Sequence, residues 1–134
     1  MVPPFYQLLQ RQEKIGQDEA TRDLLASLES FTEAMDPEGP FFMGESMGLV
    51  DIAYVPWSLR FYILNEYRGF DIPKDGAKWE RFQRWRDACE KHPSVLETLK
   101  KINLDDLRAS YERYAKNQAG SLVAKAINAN KPLP

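Results

Sequence analysis

Cysteine and histidine each occur only once in this 134-residue chain, as Cys89 and His92. A single cysteine excludes an intrachain disulfide framework and fits a reducing compartment. One cysteine with one histidine also leaves too few ligands for most metal centres, so no metal site is expected. No apolar run approaches the ~20 residues that a membrane span needs. Met1-Val2-Pro3-Pro4 lacks the basic start and continuous apolar stretch of a secretory signal. Charge of one sign is missing as well: 18 Lys+Arg are interspersed with 20 Asp+Glu, for a net charge of −2. Without a basic stripe, nucleic acid is not an expected partner. Internal repeats, low-complexity tracts and strand-like alternation are also absent. The remaining composition, 43% apolar and 28% charged, is that of a soluble globular protein, with the cytoplasm as its expected location.

Helical periodicity recurs along the chain and weakens after Gly120. Phe5, Leu8, Leu9 and Ile15 predict a first short helix ending near Gly16. Leu24, Leu28, Phe31 and Met35 predict a second, with Asp18 and Glu19 at its acidic start, broken by Asp36-Pro37-Glu38-Gly39-Pro40. A central helix is expected from about Leu49 to Tyr67, and a loop from Gly69 to Gly76. Phe82, Trp85 and Cys89 share one face of the next helix. His92-Pro93-Ser94 closes that helix and opens another, with Ser94 and Glu97 at capping-box spacing. Asn103 is a good N-cap for a last long helix, whose apolar face is Leu104, Leu107, Tyr111 and Tyr114. The expected fold is all-α, a bundle of about six helices around a buried, proline-kinked central helix. Residues 1–127 are assigned to the domain and 128–134 to a flexible tail.

The central helix is apolar almost all round, which predicts burial. With Gly48 as N-cap, Asp51 falls at the third helical position. There its carboxylate reaches back to the first amide and complements the helix dipole. Pro56 removes a backbone bond and should kink the helix near Ile52. Arg60 is either a buried ion-pair partner or a cation offered to an anionic ligand. Cys89 shares its face with Phe82 and Trp85, which predicts a buried, inert thiol.

The stretch GPFFMGESMGLVDIAYVPW is similar to the signature of the C-terminal helical domain of cytosolic glutathione transferases. That signature is a Gly-rich loop, a capping box ending in Asp and an apolar helix at the domain centre. Trp79-Glu80-Arg81-Phe82 and Lys91-His92-Pro93-Ser94-Val95 follow in the family's order. Pro4-Phe5-Tyr6-Gln7-Leu8-Leu9 and Val55-Pro56-Trp57-Ser58-Leu59-Arg60 resemble omega-type and related fungal members most. Gly48 replaces the Ser or Thr usual at the cap. No β-α-β pattern or Cys-Pro motif of the family's N-terminal thioredoxin-like domain is present, and the first helix resembles the remainder of a longer one.

The resemblance implies a domain that lines the pocket for a small hydrophobic or thiol-linked substrate. It carries Phe5, Leu8, Leu9, Trp57, Arg60, Tyr111 and Tyr114 into that pocket as candidate substrate-binding residues. It assigns no catalytic residue to this chain, because the catalytic group belongs to the thioredoxin-like domain. Glutathione is the co-substrate of the full-length family, and this chain alone is expected neither to bind it nor to be active. A thioredoxin-like domain and a homodimeric copy are the implied partners, and detoxification by conjugation or thiol transfer the implied role. The alternative is a non-catalytic protein–protein interaction module of the same fold. In either case the face that meets a partner should be apolar and exposed, with Phe5, the start of the central helix and the Tyr111/Tyr114 face as candidates.

Overall fold

The computed structural model describes all residues from Met1 to Pro134 and is entirely helical. Eight α-helices follow in chain order: α1 (Val2–Gln10), α2 (Lys14–Glu33), α3 (Leu49–Ser58), α4 (Phe61–Arg68), α5 (Ala77–Lys91), α6 (Pro93–Leu99), α7 (Leu104–Ala115) and α8 (Leu122–Asn128). The one β-type pairing is a single bridge between Phe41 and Gly44.

Several boundaries differ from the sequence expectation, each for a local reason. α1 stops at Gln10, because Arg11 turns to extended backbone. Ile15 and Gly16 therefore belong to α2, where Ile15 points outward at 76% exposure. Asp18 and Glu19 lie beyond the first turn of α2. The central helix is two helices, with Leu59 and Arg60 forming the turn between α3 and α4. Pro56 is inside α3, which ends two residues further on at Ser58. The cap of α6 is His92, whose Nδ1 accepts from the Ser94 amide at 3.3 Å, so Ser94 is not the capping residue. Asn103 caps α7 as expected, accepting from the amides of Asp105 and Asp106. α8, beyond the point where apolar periodicity fades, is held by bonds that periodicity cannot report.

The helices form two compact units. The first comprises Met1–Leu24, Phe61–Asp71 and Asn103–Pro134. In it α1 packs against α4, α7 and α8. Phe5, Leu8, Leu9, Ile63 and Leu64 are essentially without solvent contact. Phe61 stacks on Phe5 and meets Phe70 edge-on. Arg68 ties the ends of two helices together: its Nε donates to Leu8 O at 3.1 Å, and its Nη2 donates to Leu9 O and Ala115 O. These carbonyls are the ones a helix C-terminus leaves without partners, and a cation suits the negative end of the dipole.

The second unit comprises Leu25–Arg60 and Ile72–Ile102. Here α3 and α5 pack together. Trp85 meets Phe82 and Phe31, and Phe31 also touches Phe42 and Tyr54. The loop from Asp36 to Gly44 is fastened at both ends. Asp36 Oδ1 accepts from the amides of Glu38 and Gly39, and Arg81 donates to the carbonyls of Asp36 and Phe41. Gly39 is required there, because a Cβ at that position would lie 2.3 Å from the backbone of Gly44.

Candidate functional site

The start of α3 is built around Asp51, which has no solvent exposure. Its Oδ2 accepts from the Gly48 amide at 2.8 Å, the reach-back contact expected of the third helical position. Its Oδ1 accepts from the Phe42 amide at 2.9 Å and from the Trp85 indole at 2.7 Å. One carboxylate thus joins the loop, the helix start and α5. With three donors on it and no solvent exposure, it is placed as a structural group.

Cys89 is fully buried in the same unit. Burial foremost, then the charges of Asp51 and Glu90, push its thiol up to about 12. A neutral, enclosed thiol is not a nucleophile at physiological pH.

The outward side of α3 differs from the expected all-round burial. Leu49, Ile52, Ala53 and Pro56 fall at i, i+3, i+4 and i+7, one helical stripe. Leu49 is 85% exposed and Ile52 56%. Met43, next to the Phe42 amide that bonds Asp51, is also exposed. At the far end of α3 the Arg60 guanidinium carbon lies 5.3 Å from the Trp57 ring centroid, within cation–π range.

The first unit carries a tyrosine face. Tyr6 lies 5.1 Å from Tyr114 and 6.2 Å from Tyr111 between ring centroids, and Tyr111 also meets Phe5 edge-on. The Tyr114 hydroxyl pairs with Ser121 Oγ at 2.7 Å. Tyr6 and Tyr114 are half-buried and Tyr111 nearly fully so.

The seven candidate substrate residues fall in both units. Phe5, Leu8 and Leu9 are core side chains of the first unit; Tyr111 and Tyr114 share its tyrosine face. Trp57 and Arg60 belong to the second unit. Tyr6, Trp85 and Ser121 were missed. Tyr6 had a readable signal, since a tyrosine next to the core position Phe5 lies on the shoulder of the buried stripe. The partnership of Trp85 with Asp51 spans 34 residues and had none.

Against known proteins, the model for "Glutathione S-transferase, C-terminal domain" matches residues 1–93. The chain belongs to that family. Within the glutathione transferases it is similar to the solved structure of glutathione transferase Omega 3C from Trametes versicolor. The two are 36% identical with a TM-score of 0.68, over 90% of this chain and 48% of that one. A "Probable glutathione S-transferase" and a "Probable glutathione S-transferase parC", both from Nicotiana tabacum, are each 30% identical over 83 residues. The aligned residues make up 62% of this chain and 36% of each relative, so the chain spans well under two thirds of their length. The glutathione transferase family model covers α1 to α5 and ends at the first residue of α6; α7 and α8 lie beyond it. No helix is long and apolar enough to cross a membrane.

Proposed function

We propose that this chain is the substrate-side helical domain of a cytoplasmic glutathione transferase, active only beside a thioredoxin-like domain that holds glutathione. The observation that carries this reading is the exposed stripe of Leu49, Ile52 and Ala53 on α3, inside the family-matching segment. A stripe so apolar, beside a capping centre so fully bonded, is built to be covered. The reaction is glutathione conjugation or glutathione-dependent thiol transfer on a small hydrophobic or thiol-linked molecule. The tyrosine face of Tyr6, Tyr111 and Tyr114 in the first unit offers such a molecule an apolar wall. The nucleophile comes from glutathione and its domain, since Cys89 is enclosed and protonated.

The test is a calorimetric titration of glutathione into this chain and into a version carrying a thioredoxin-like domain ahead of Met1. Saturable heat is expected only for the second, and conjugating activity with it. Binding by the chain alone would overturn the division of labour. The same stripe favours a second reading, an interaction module that docks another chain or a second copy. Failure of the two-domain version to bind glutathione, together with a partner or dimer lost in Leu49→Glu, would decide for it.

A further inference from the structure

Asn117 and Asn130, two residues past the ends of α7 and α8, both have the left-handed φ of 54°. Each closes its helix with a pair of bonds of the Schellman type. The amides of Asn117 and Gln118 donate to the carbonyls of Tyr114 and Arg113, and those of Asn130 and Lys131 to Ile127 and Ala126. Both side chains then turn to the end of α1. Asn117 Oδ1 accepts from Gln10 Nε2 at 3.1 Å, and Asn130 Oδ1 from Arg11 Nη2 at 2.9 Å.

Gln10 Nε2 lies equally close to two acceptors on α8, Ala124 O at 2.9 Å and Asn128 Oδ1 at 2.8 Å. An amide has two hydrogens, so the three acceptors share them. The oxygen of the same amide, Gln10 Oε1, is buried with no hydrogen-bond partner. Exchanging the two atoms would set oxygen against the Ala124 carbonyl, so the orientation is fixed. α8 itself has seven residues and buries only Ala124 and Ile127. A helix that short does not hold without its tertiary bonds. At its start, Ser121 Oγ accepts from the Ala124 amide at 3.1 Å and pairs with the Tyr114 hydroxyl. Gly120, just before it, has open space around it.

We propose that α8 is a latch on α1: it opens as a unit about residues 118–120 while α1 and α7 stay folded. Gln10 and Arg11 are its seat, and the Tyr114 hydroxyl is the catch at its start. The closed state crowds three acceptors on one amide group and leaves its oxygen bare, and opening hands all of them to water. Tyr114 is therefore a positioning residue for α8, whatever rests against its ring.

Hydrogen exchange on the intact chain tests this. In the wild type, the bonded amides of Lys125 and Ala129 should exchange at least about tenfold faster than interior amides of α1 and α7. Tyr114→Phe, which keeps the ring, should speed α8 exchange several-fold and leave α1 and α7 unchanged. Gln10→Leu should do the same more strongly. If Gln10→Leu does not fold, the Tyr114→Phe comparison decides. Exchange of α8 in step with α1 and α7 in the wild type, or equal acceleration of all three by Tyr114→Phe, overturns the latch.

Discussion

Asp51 shows how much one side chain can hold when every donor around it is fixed. Its carboxylate takes two backbone amides and an indole while itself having no solvent exposure. Asp51→Ala would leave the buried Trp85 indole and the two part-buried amides without this partner. The expected loss is about 3–4 kcal/mol, since each such group costs roughly 1–3 and neighbours do not add fully. Urea unfolding followed by far-ultraviolet circular dichroism measures it; a midpoint unchanged from the wild type would show that the donors find other partners. Cys89 gives a second residue-scale expectation. A native chain should resist a thiol reagent near neutral pH and react only on unfolding, because the thiolate is disfavoured and enclosed. Rapid labelling of the folded chain would contradict this. Asp36 supplies the pH dependence. The amides of Gly39, then of Glu38, hold its carboxyl below the ordinary aspartate range. Its contribution is therefore present above that range and disappears as pH falls through the lowered value. The stability gap between wild type and Asp36→Asn should narrow as acid is added, which melting temperatures at a series of pH values would reveal.

At the scale of the element, α2 offers a clean test of backbone entropy. Gly16 sits inside the helix with ordinary helical geometry, and an added Cβ would meet only the flexible Arg11 side chain at 3.4 Å. Gly16→Ala should raise stability by about 0.5–1 kcal/mol, read as a higher melting temperature. A lower one would mean that Arg11 cannot give way. The elements also show what the sequence could and could not disclose. Asn103 and the pair Gly48/Asp51 were legible because capping is local, resolved within three residues. The end of α1 was misplaced because Ile15 continued the apolar spacing, although it points to solvent. The spacing predicts one central helix through Leu59 and Arg60, because nothing in it marks their turn. α8 was invisible for a different reason: polar contacts across more than 100 residues hold it, and periodicity carries no trace of those. The tyrosine face was half legible, since Tyr111 and Tyr114 share a helical face but their meeting with Tyr6 depends on how α1 lies in the unit.

For the whole molecule the decisive quantity is apolar surface left uncovered. Phe5, one of the three places expected to be sticky, is fully buried, whereas the start of α3 keeps Leu49 and Ile52 in water. A chain with such a stripe should associate with itself as concentration rises. Leu49→Glu combined with Ile52→Lys should abolish that association without lowering stability, because neither side chain is part of a core. Sedimentation velocity over a concentration series checks both halves, with circular dichroism as the control for folding. A clean monomer at high concentration in the wild type would remove the stripe as an interface with a second copy, while leaving its place beneath a thioredoxin-like domain open to the glutathione titration. The two asparagines that close α7 and α8 carry one more consequence, this time for chemical ageing. Asparagine deamidates when the next backbone nitrogen attacks the side-chain carbonyl, and after Asn130 that nitrogen is Lys131 N, tied to Ala126 O at 2.9 Å. While α8 is closed the reaction is held off; when α8 lies open it is not. The slow accumulation of isoaspartate and aspartate at that position in stored protein, from opening of the succinimide left when ammonia departs, would be a clock for how often the helix lets go.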